Sequence, residues 1–125
     1  MNSLSKTFAE YRILLEKGDN LSVIDLFYDD DMQQVENEDA PIIGKKAIKE
    51  IEKKTLKSVN SFEQKIVSML IDEEKEMVMG EMLIFFDSKK QGPKKLAEAF
   101  IQHWKNGKIL YQKFYYQTIF NNNGQ

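Results

Sequence analysis

The hydrophobic pattern of this chain changes its period near residue 58, and that change limits the folds open to it. Before residue 58, apolar side chains recur at steps of three and four residues, which is typical of one face of a helix. After it, apolar and polar residues alternate in runs separated by turn signals, which is typical of strands. Because helices and strands occupy separate parts of the chain, we predict an α+β domain.

Three helices are predicted in the first part of the chain. The first covers residues 4–16, and Gly18 suits the cap at its C-terminal end. Asp19 or Asn20 begins the second, shorter helix. Gly44 opens the third, whose apolar stripe consists of Ala47, Ile48, Ile51 and Thr55. Between the second and third helices, residues 32–37 are predicted to form a short strand.

Four strands are predicted after the helices, at residues 61–72, 76–88, 96–104 and 108–120. Gly80 inside the second of them predicts a bulge or a bend. We therefore expect the order α-α-β-α-β-β-β-β, with a cone-shaped, curved, mainly antiparallel sheet packed on three helices. A pocket between sheet and helices is the default ligand site of such a fold. Residues 1–120 are expected to form one domain and residues 121–125 a polar tail.

Length and composition restrict the function classes. With 125 residues, 42% of them hydrophobic, the chain can bury one core, and it contains no cysteine. No apolar run approaches the roughly 20 residues that a membrane span needs. The first twelve residues lack the apolar segment of a signal peptide. We therefore expect a cytoplasmic protein that does not bind membranes.

The charge and the available metal-binding side chains argue against two further functions, namely nucleic-acid binding and metal binding. The net charge is −2, whereas nucleic-acid binders usually carry a basic excess. Lys45, Lys49 and Lys53 alternate with Glu50 and Glu52, as on a solvated helix face, so no nucleic-acid partner is expected. The acidic stretch 28–39 lacks the glycine of a calcium loop, and His103 is the only histidine. We expect no metal site and no cofactor.

Three stretches resemble the nuclear-transport-factor-2-like superfamily, and within it the SnoaL-like proteins. YRILLEKGDNLSVIDLFYDDD (11–31) resembles that family's pair of opening helices, and VENEDAPIIGKKAIKEI (35–51) its first strand, turn and third helix. HWKNGKILYQKFYY (103–116) resembles its closing hairpin. The resemblance implies the cone-shaped fold. Members include steroid isomerases, polyketide cyclases, dehydratases and proteins whose pocket has no known reaction, so the fold does not settle the activity.

The resemblance also implies two catalytic residues. Tyr11 stands seven residues before Gly18, where ketosteroid isomerases carry a tyrosine that donates a hydrogen bond to the substrate oxyanion. Glu36 matches the family's catalytic aspartate, eight residues after Tyr28, and would abstract a proton next to a carbonyl. The alternatives are a Tyr11 that only packs on the apolar stripe and a Glu36 that is exposed on an edge strand. A register slip of one residue would turn Asn37 inward instead.

One departure from the family pattern counts against steroid isomerase chemistry itself. The position of that family's second aspartate falls on Phe100 or Ala99, and neither side chain can donate a hydrogen bond. Glu98 and Gln102 share the face of Phe100 and could supply another polar contact. The predicted pocket lining consists of Phe27, Met32, Ile48, Glu98, Phe100, Gln102, Trp104, Gln112, Phe114 and Tyr116.

The outer face of the sheet offers a different function. Ala97, Ala99, Ile101 and His103 alternate with the inward residues, and small and apolar side chains on a solvated face fit a homodimer interface. The sequence does not decide whether Glu81 points into the pocket or away from it, because a bend at Gly80 can change the direction of its side chain.

Three functions remain. An enzyme, with Glu36 as the general base and Tyr11 or Tyr116 as the oxyanion donor, predicts a Glu36 with a raised pKa on a cavity that Tyr11 also reaches. A non-catalytic binder of a small apolar or carbonyl-bearing molecule predicts an apolar cavity with Glu36 turned to solvent. A dimeric interaction module predicts a buried outer face and little cavity.

Overall fold

The computed structural model describes residues 3–117 and confirms the α+β fold. Within this part of the chain, three helices and six strands follow one another: α1 (Leu4–Glu16), α2 (Asn20–Phe27), β1 (Tyr28–Glu36), β2 (Ile42–Ile43), α3 (Lys45–Lys57), β3 (Val59–Asp72), β4 (Met77–Ser88), β5 (Gly92–Lys105) and β6 (Lys108–Tyr116). The two-residue strand β2 was not predicted. The predicted tail, 121–125, and the last three residues of the predicted final strand lie outside the described residues.

All six strands of the described chain form one mixed sheet in the order β2-β1-β6-β5-β4-β3. The last four strands make the predicted antiparallel meander. β1 joins this meander by pairing in parallel with β6, and β2 pairs antiparallel with β1. The acidic residues Asp29, Asp30 and Asp31 lie within β1, where its register against β6 is interrupted. The strand was predicted to begin at residue 32, so it begins four residues earlier than expected.

Local hydrogen bonds set the helix ends. The Ser3 hydroxyl accepts a hydrogen bond from the Lys6 N–H at 3.1 Å and caps α1. The Asp19 carboxylate accepts a hydrogen bond from the Ser22 N–H and caps α2. Gly44, at the start of α3, has a φ of +99°, a conformation that glycine adopts without steric cost. None of the described helices is long and apolar enough to cross a membrane.

The sheet bends at a bulge, but the bulge is not where it was predicted. The register between β3 and β4 shifts between Ile66 and Ser68, so the extra residue lies on β3, and β4 continues through Gly80 without a break against β5. A Cβ atom on Gly80 would clash with the Ser68 carbonyl oxygen and lie 2.9 Å from Phe100 Cζ. Gly80 thus supplies the space that the bent neighbouring strand requires.

Aromatic side chains of α1 and α2 pack on one end of the inner sheet face. The Trp104 ring meets the Tyr11 ring edge to face, with centroids 5.6 Å apart, and Phe8 and Phe27 contact it at 6.2 and 6.1 Å. These residues, together with Met32, Phe100 and Ile109, form the buried core. The opposite end of the inner face, under α3, is not filled in this way.

Candidate functional site

A cavity of about 380 Å³ lies between the helices and the inner face of the sheet. Its wall is mainly apolar and includes Ile24, Ile48, Phe62, Ile84, Leu96 and Phe114. Among the described residues, no lysine, arginine or histidine lines it. The volume suits a small organic molecule of the size that such pockets usually bind.

Three carboxyl groups face this cavity, namely those of Glu36, Glu52 and Glu98. Burial, with a smaller contribution from the charge of Glu36, raises the pKa of Glu98 to about 7. Burial also raises the pKa of Glu36, and the Tyr116 hydroxyl beside it acts in the opposite direction. Because the pKa of Glu98 lies near 7, that side chain is partly protonated near neutral pH.

The structure places Glu36, and not Asn37, on the cavity. Glu36 is the last residue of β1 and pairs with Phe114 on β6. Asn37 follows with a φ of +52°, and its backbone N–H donates to the Phe114 carbonyl oxygen. The Asn37 side-chain oxygen accepts a hydrogen bond from the Tyr116 N–H at 2.9 Å. Asn37 therefore ends the strand and binds the backbone of β6, which holds Glu36 in the inward position.

Tyr11 of α1 and Tyr28 of β1 line the cavity, and two glutamines hold their hydroxyl groups. The Gln102 amide nitrogen donates to the Tyr11 hydroxyl at 3.1 Å, and the Gln112 amide nitrogen donates to the Tyr28 hydroxyl at 3.0 Å. Burial raises the pKa of both phenols, so both keep their protons in the folded protein.

Sequence reasoning missed Glu52. It was assigned to the solvated face of the third helix, yet it lies one helical turn after the buried Ile48 and lines the cavity. Its carboxylate accepts a hydrogen bond from the Asn20 amide nitrogen at 3.1 Å, and Gln64 in turn donates to the Asn20 side-chain oxygen. Burial raises the pKa of Glu52, and the hydrogen bond from Asn20 partly offsets this. The four-residue spacing from Ile48 is the signal that could have revealed it.

The twelve predicted site residues fall into two groups. The cavity wall includes six of them: Tyr11, Glu36, Ile48, Glu98, Phe114 and Tyr116. The other six lie in the packed core and do not line it: Phe27, Met32, Phe100, Gln102, Trp104 and Gln112. The reason is that all of these side chains point to the same inner face, but the aromatic rings of α1 and α2 fill the space over one end of it.

The lysines of α3 form ion pairs, as expected for a solvated face. The Lys49 ammonium lies 2.7 Å from the Asp25 carboxylate, and Lys53 pairs with Glu50 at 3.3 Å. In residues 3–117, no group of three or more histidine, aspartate or glutamate side chains could hold a metal ion.

The outer face of the sheet carries the residues expected there. Ala97, Ala99 and His103 are exposed, and Ile101 is partly buried. Glu81 also points outward, because it is exposed and its carboxylate accepts a hydrogen bond from the Ser68 hydroxyl at 3.2 Å. Large apolar side chains share this face, among them Leu70, which is 79% exposed, as well as Met79, Phe85 and Tyr115.

Comparison with solved structures places the fold. An NTF2-like protein of unknown function from Burkholderia pseudomallei superposes with a TM-score of 0.77 at 9% identity, over 94% of this chain and 92% of that one. An LEH-like epoxide hydrolase from M. tuberculosis gives 0.72 at 15% identity, over 90% of this chain and 76% of that one. A protein described as a candidate SnoaL-like polyketide cyclase from Mesorhizobium loti gives 0.72 at 18% identity, over 92% and 100%.

In sequence, no family model and no curated protein matches the chain. The structural similarity is nevertheless extensive, since each of these neighbours covers at least nine-tenths of this chain. The chain therefore has the cone-shaped fold of the nuclear-transport-factor-2-like and SnoaL-like proteins.

Proposed function

We propose that this protein binds a small, mainly apolar, carbonyl-bearing molecule in the cavity and abstracts a proton next to the carbonyl group, without a cofactor. The observation that carries this proposal is that Glu36 and Tyr11 line the same cavity. Burial also raises the pKa of Glu36, as a general base that works near neutral pH requires. These are the two features that distinguish an enzyme from a simple binder.

Each group has a defined part in the proposed reaction. The Glu36 carboxylate takes a proton from the carbon next to the carbonyl, and the electrons of that C–H bond move toward the carbonyl oxygen to give an enolate. The Tyr11 hydroxyl donates a hydrogen bond to this oxygen as its negative charge develops. For a substrate with a carbon–carbon double bond one position further along, the enolate is a dienolate, and Glu98, which is partly protonated near pH 7, can protonate its far carbon. Loss of the proton from Glu36 to solvent and uptake of a proton by Glu98 then restore both groups. Proton removal at one carbon and delivery at another make an isomerisation.

The fold alone does not choose this reaction. One structural neighbour is an epoxide hydrolase and another is described as a candidate polyketide cyclase, so different chemistries occur on this fold. The choice rests on the side chains that this cavity contains. The alternative is a binding module without catalysis, which is supported by the mainly apolar wall and by the presence of glutamate where the resembling enzymes carry aspartate.

Deuterium uptake tests the proposed chemistry. Acetophenone in D₂O should exchange its methyl protons faster with the protein than in buffer, as followed by NMR. Glu36→Gln should lower the protein-dependent rate at least about 100-fold, because general-base catalysis contributes that much or more. Glu38→Gln, which alters an exposed carboxylate two residues away, is the matched control and should leave the rate unchanged. Binding without any acceleration would favour the binding module.

We also infer a homodimer that forms through the outer face of the sheet. The exposed apolar side chains on this face, with Ala97, Ala99, Ile101 and His103 between them, support the inference. A dimer of this kind leaves the cavity on the opposite side of the sheet accessible, so it is compatible with either function. The cytoplasmic location stays a prediction from the sequence.

A further inference from the structure

A chain of hydrogen bonds runs through the core directly behind the cavity. The Trp104 indole N–H donates to the Gln102 side-chain oxygen at 3.0 Å. The Gln102 amide nitrogen donates to the Gln112 side-chain oxygen at 2.6 Å and to the Tyr11 hydroxyl. The Gln112 amide nitrogen donates to the Tyr28 hydroxyl and, at 3.3 Å, to the Gln34 side-chain oxygen.

The direction of this chain is dictated by its first member. An indole nitrogen can only donate, whereas a glutamine amide can be turned either way. Because Trp104 donates, Gln102 must present its oxygen to Trp104 and its NH₂ group to Gln112 and Tyr11. Gln112 must then accept with its oxygen and donate with its NH₂ group to Tyr28. Trp104, Gln102 and Gln112 are almost completely buried, so water does not compete for these partners.

The same direction determines what the two phenols can do. Tyr11 and Tyr28 each receive a hydrogen bond from an amide, so the oxygen of each is occupied as an acceptor and its own proton is left for another partner. Both side chains are more than nine-tenths buried, and both line the cavity. Gln102 and Gln112 are direct partners across β5 and β6, so the two amides that hold the phenols lie side by side. The cavity wall therefore includes two tyrosines whose hydroxyl oxygens are already occupied as acceptors.

We propose that Tyr11 and Tyr28 together bind one neutral carbonyl oxygen of the ligand, and that Trp104, Gln102 and Gln112 are positioning residues that keep both phenol protons directed into the cavity. A neutral acceptor fits better than an anionic one, because three carboxyl groups line the same cavity and no described cationic side chain does. This inference deepens the proposed function by assigning the recognised group, but it requires only binding and not the base Glu36.

Matched probes test the donor pair. Acetophenone carries a carbonyl, and α-methylstyrene has the same shape with a CH₂ group in place of the oxygen. The ratio of their dissociation constants, measured by NMR titration, isolates the contribution of the carbonyl. Tyr11→Phe and Tyr28→Phe should each weaken acetophenone binding about three- to tenfold and leave α-methylstyrene binding unchanged. Tyr115→Phe makes the same chemical change on the exposed outer face and is the matched control.

Two further variants test the positioning role of Trp104 and Gln112. Trp104→Phe removes the obligatory donor, so Gln102 can turn and accept the Tyr11 proton, and the preference for acetophenone should fall about threefold or more. Gln112→Met removes the amide that donates to the Tyr28 oxygen, so the Tyr28 proton is no longer directed into the cavity, with the same result. In both variants the affinity for α-methylstyrene reports whether the cavity is still intact. A second variant is available if one of them does not fold.

Infrared spectroscopy gives an independent readout on the unaltered protein. The carbonyl stretch of bound ¹³C-labelled acetophenone should lie at lower frequency than in hexane, and should move back toward the hexane value in Tyr28→Phe. Three results would overturn the proposal. They are a carbonyl frequency equal to that in hexane, a ratio of the two dissociation constants that is unchanged in both tyrosine variants, and no binding of acetophenone. Benzoate should bind at least tenfold more weakly than acetophenone, and tighter binding of benzoate would overturn the neutral-acceptor assignment. Carbonyl-dependent binding without deuterium exchange would refute only the proposed catalysis.

Discussion

At the scale of single residues, the cavity shows how position gives one residue type different properties. Glu98 lies on β5 with its carboxyl group in the cavity, and burial raises its pKa to about 7. Glu63 on β3 is exposed to solvent. In an unfolded chain a glutamate titrates near pH ~4.3. Between about pH 4 and pH 7, the folded protein therefore holds a proton on Glu98 that the unfolded chain has released.

This difference makes the stability depend on pH. As the pH rises through that window, the free energy of unfolding should fall, because the folded state must give up a proton at a higher cost. The full penalty, on the order of 3 kcal/mol, is present above pH ~7. Glu98→Gln removes it, so the variant should gain about 2 kcal/mol more stability at pH 8 than at pH 5.

Urea unfolding at the two pH values measures the effect. Glu63→Gln removes an exposed carboxylate from the same sheet and serves as the control, with the same small change at both pH values. An equal gain for Glu98→Gln at pH 5 and pH 8 would contradict a protonated Glu98 in the folded protein.

At the scale of elements, the bend of the sheet depends on two strands that fit each other. β3 carries the bulge between Ile66 and Ser68. On β4, Gly80 lies beside this bulge, where a side chain would clash with the Ser68 backbone. The bend matters for the site because β3, β4 and β5 supply cavity residues such as Phe62, Ile84 and Glu98. A glycine at this place is thus a packing requirement, and its backbone conformation is that of an ordinary strand.

Gly80→Ala should destabilise the protein by about 1–3 kcal/mol, because the added methyl group meets the Ser68 backbone and the Phe100 ring. Gly92→Ala provides the comparison: its methyl group would meet no atom within 4 Å, and only its φ of +78° opposes the change. That variant should lose about 1–2 kcal/mol. Chemical denaturation compares the two. A neutral effect of Gly80→Ala would show that β3 can move away from the methyl group.

At the scale of the whole molecule, the sheet separates two surfaces with different uses. Its inner face forms the core and the cavity, and its outer face exposes apolar side chains from β3, β4, β5 and β6. Because an exposed apolar face of this kind usually marks an interface, the molecule can carry out binding on one side and association on the other.

Ala99→Lys should convert the proposed dimer into a monomer, because it places a charge in the middle of the outer face. Analytical ultracentrifugation at several protein concentrations measures the association state. Ala47→Lys makes the same change at an exposed position of α3 and should leave the dimer intact. A monomeric starting protein at high micromolar concentration would refute the interface.

Much of the fold follows from local patterns in the sequence. The helical stripe of residues 4–16, the caps at Asp19 and Gly44, and the alternation after Val59 each depend on neighbours within a few positions. These patterns determined the order of the main elements and which side chains point inward. The helical stripe placed Tyr11 among the inward residues, whereas the choice between Glu36 and Asn37 was open until the structure placed Glu36 on the cavity.

Only the tertiary structure decided which inward side chains meet empty space and which meet one another. Gln102 and Glu98 lie on the same face of β5. Gln102 is nevertheless buried in a hydrogen-bonded core, whereas Glu98 lines the cavity. The difference arises because α1 and α2 cover one end of the sheet with aromatic rings, while the end near Glu98 remains open. Glu52 reaches the cavity for the same reason, since α3 lies over that open end. The sequence by itself determined the main elements and most of their inward faces, and the packing of the helices across the sheet determined the site.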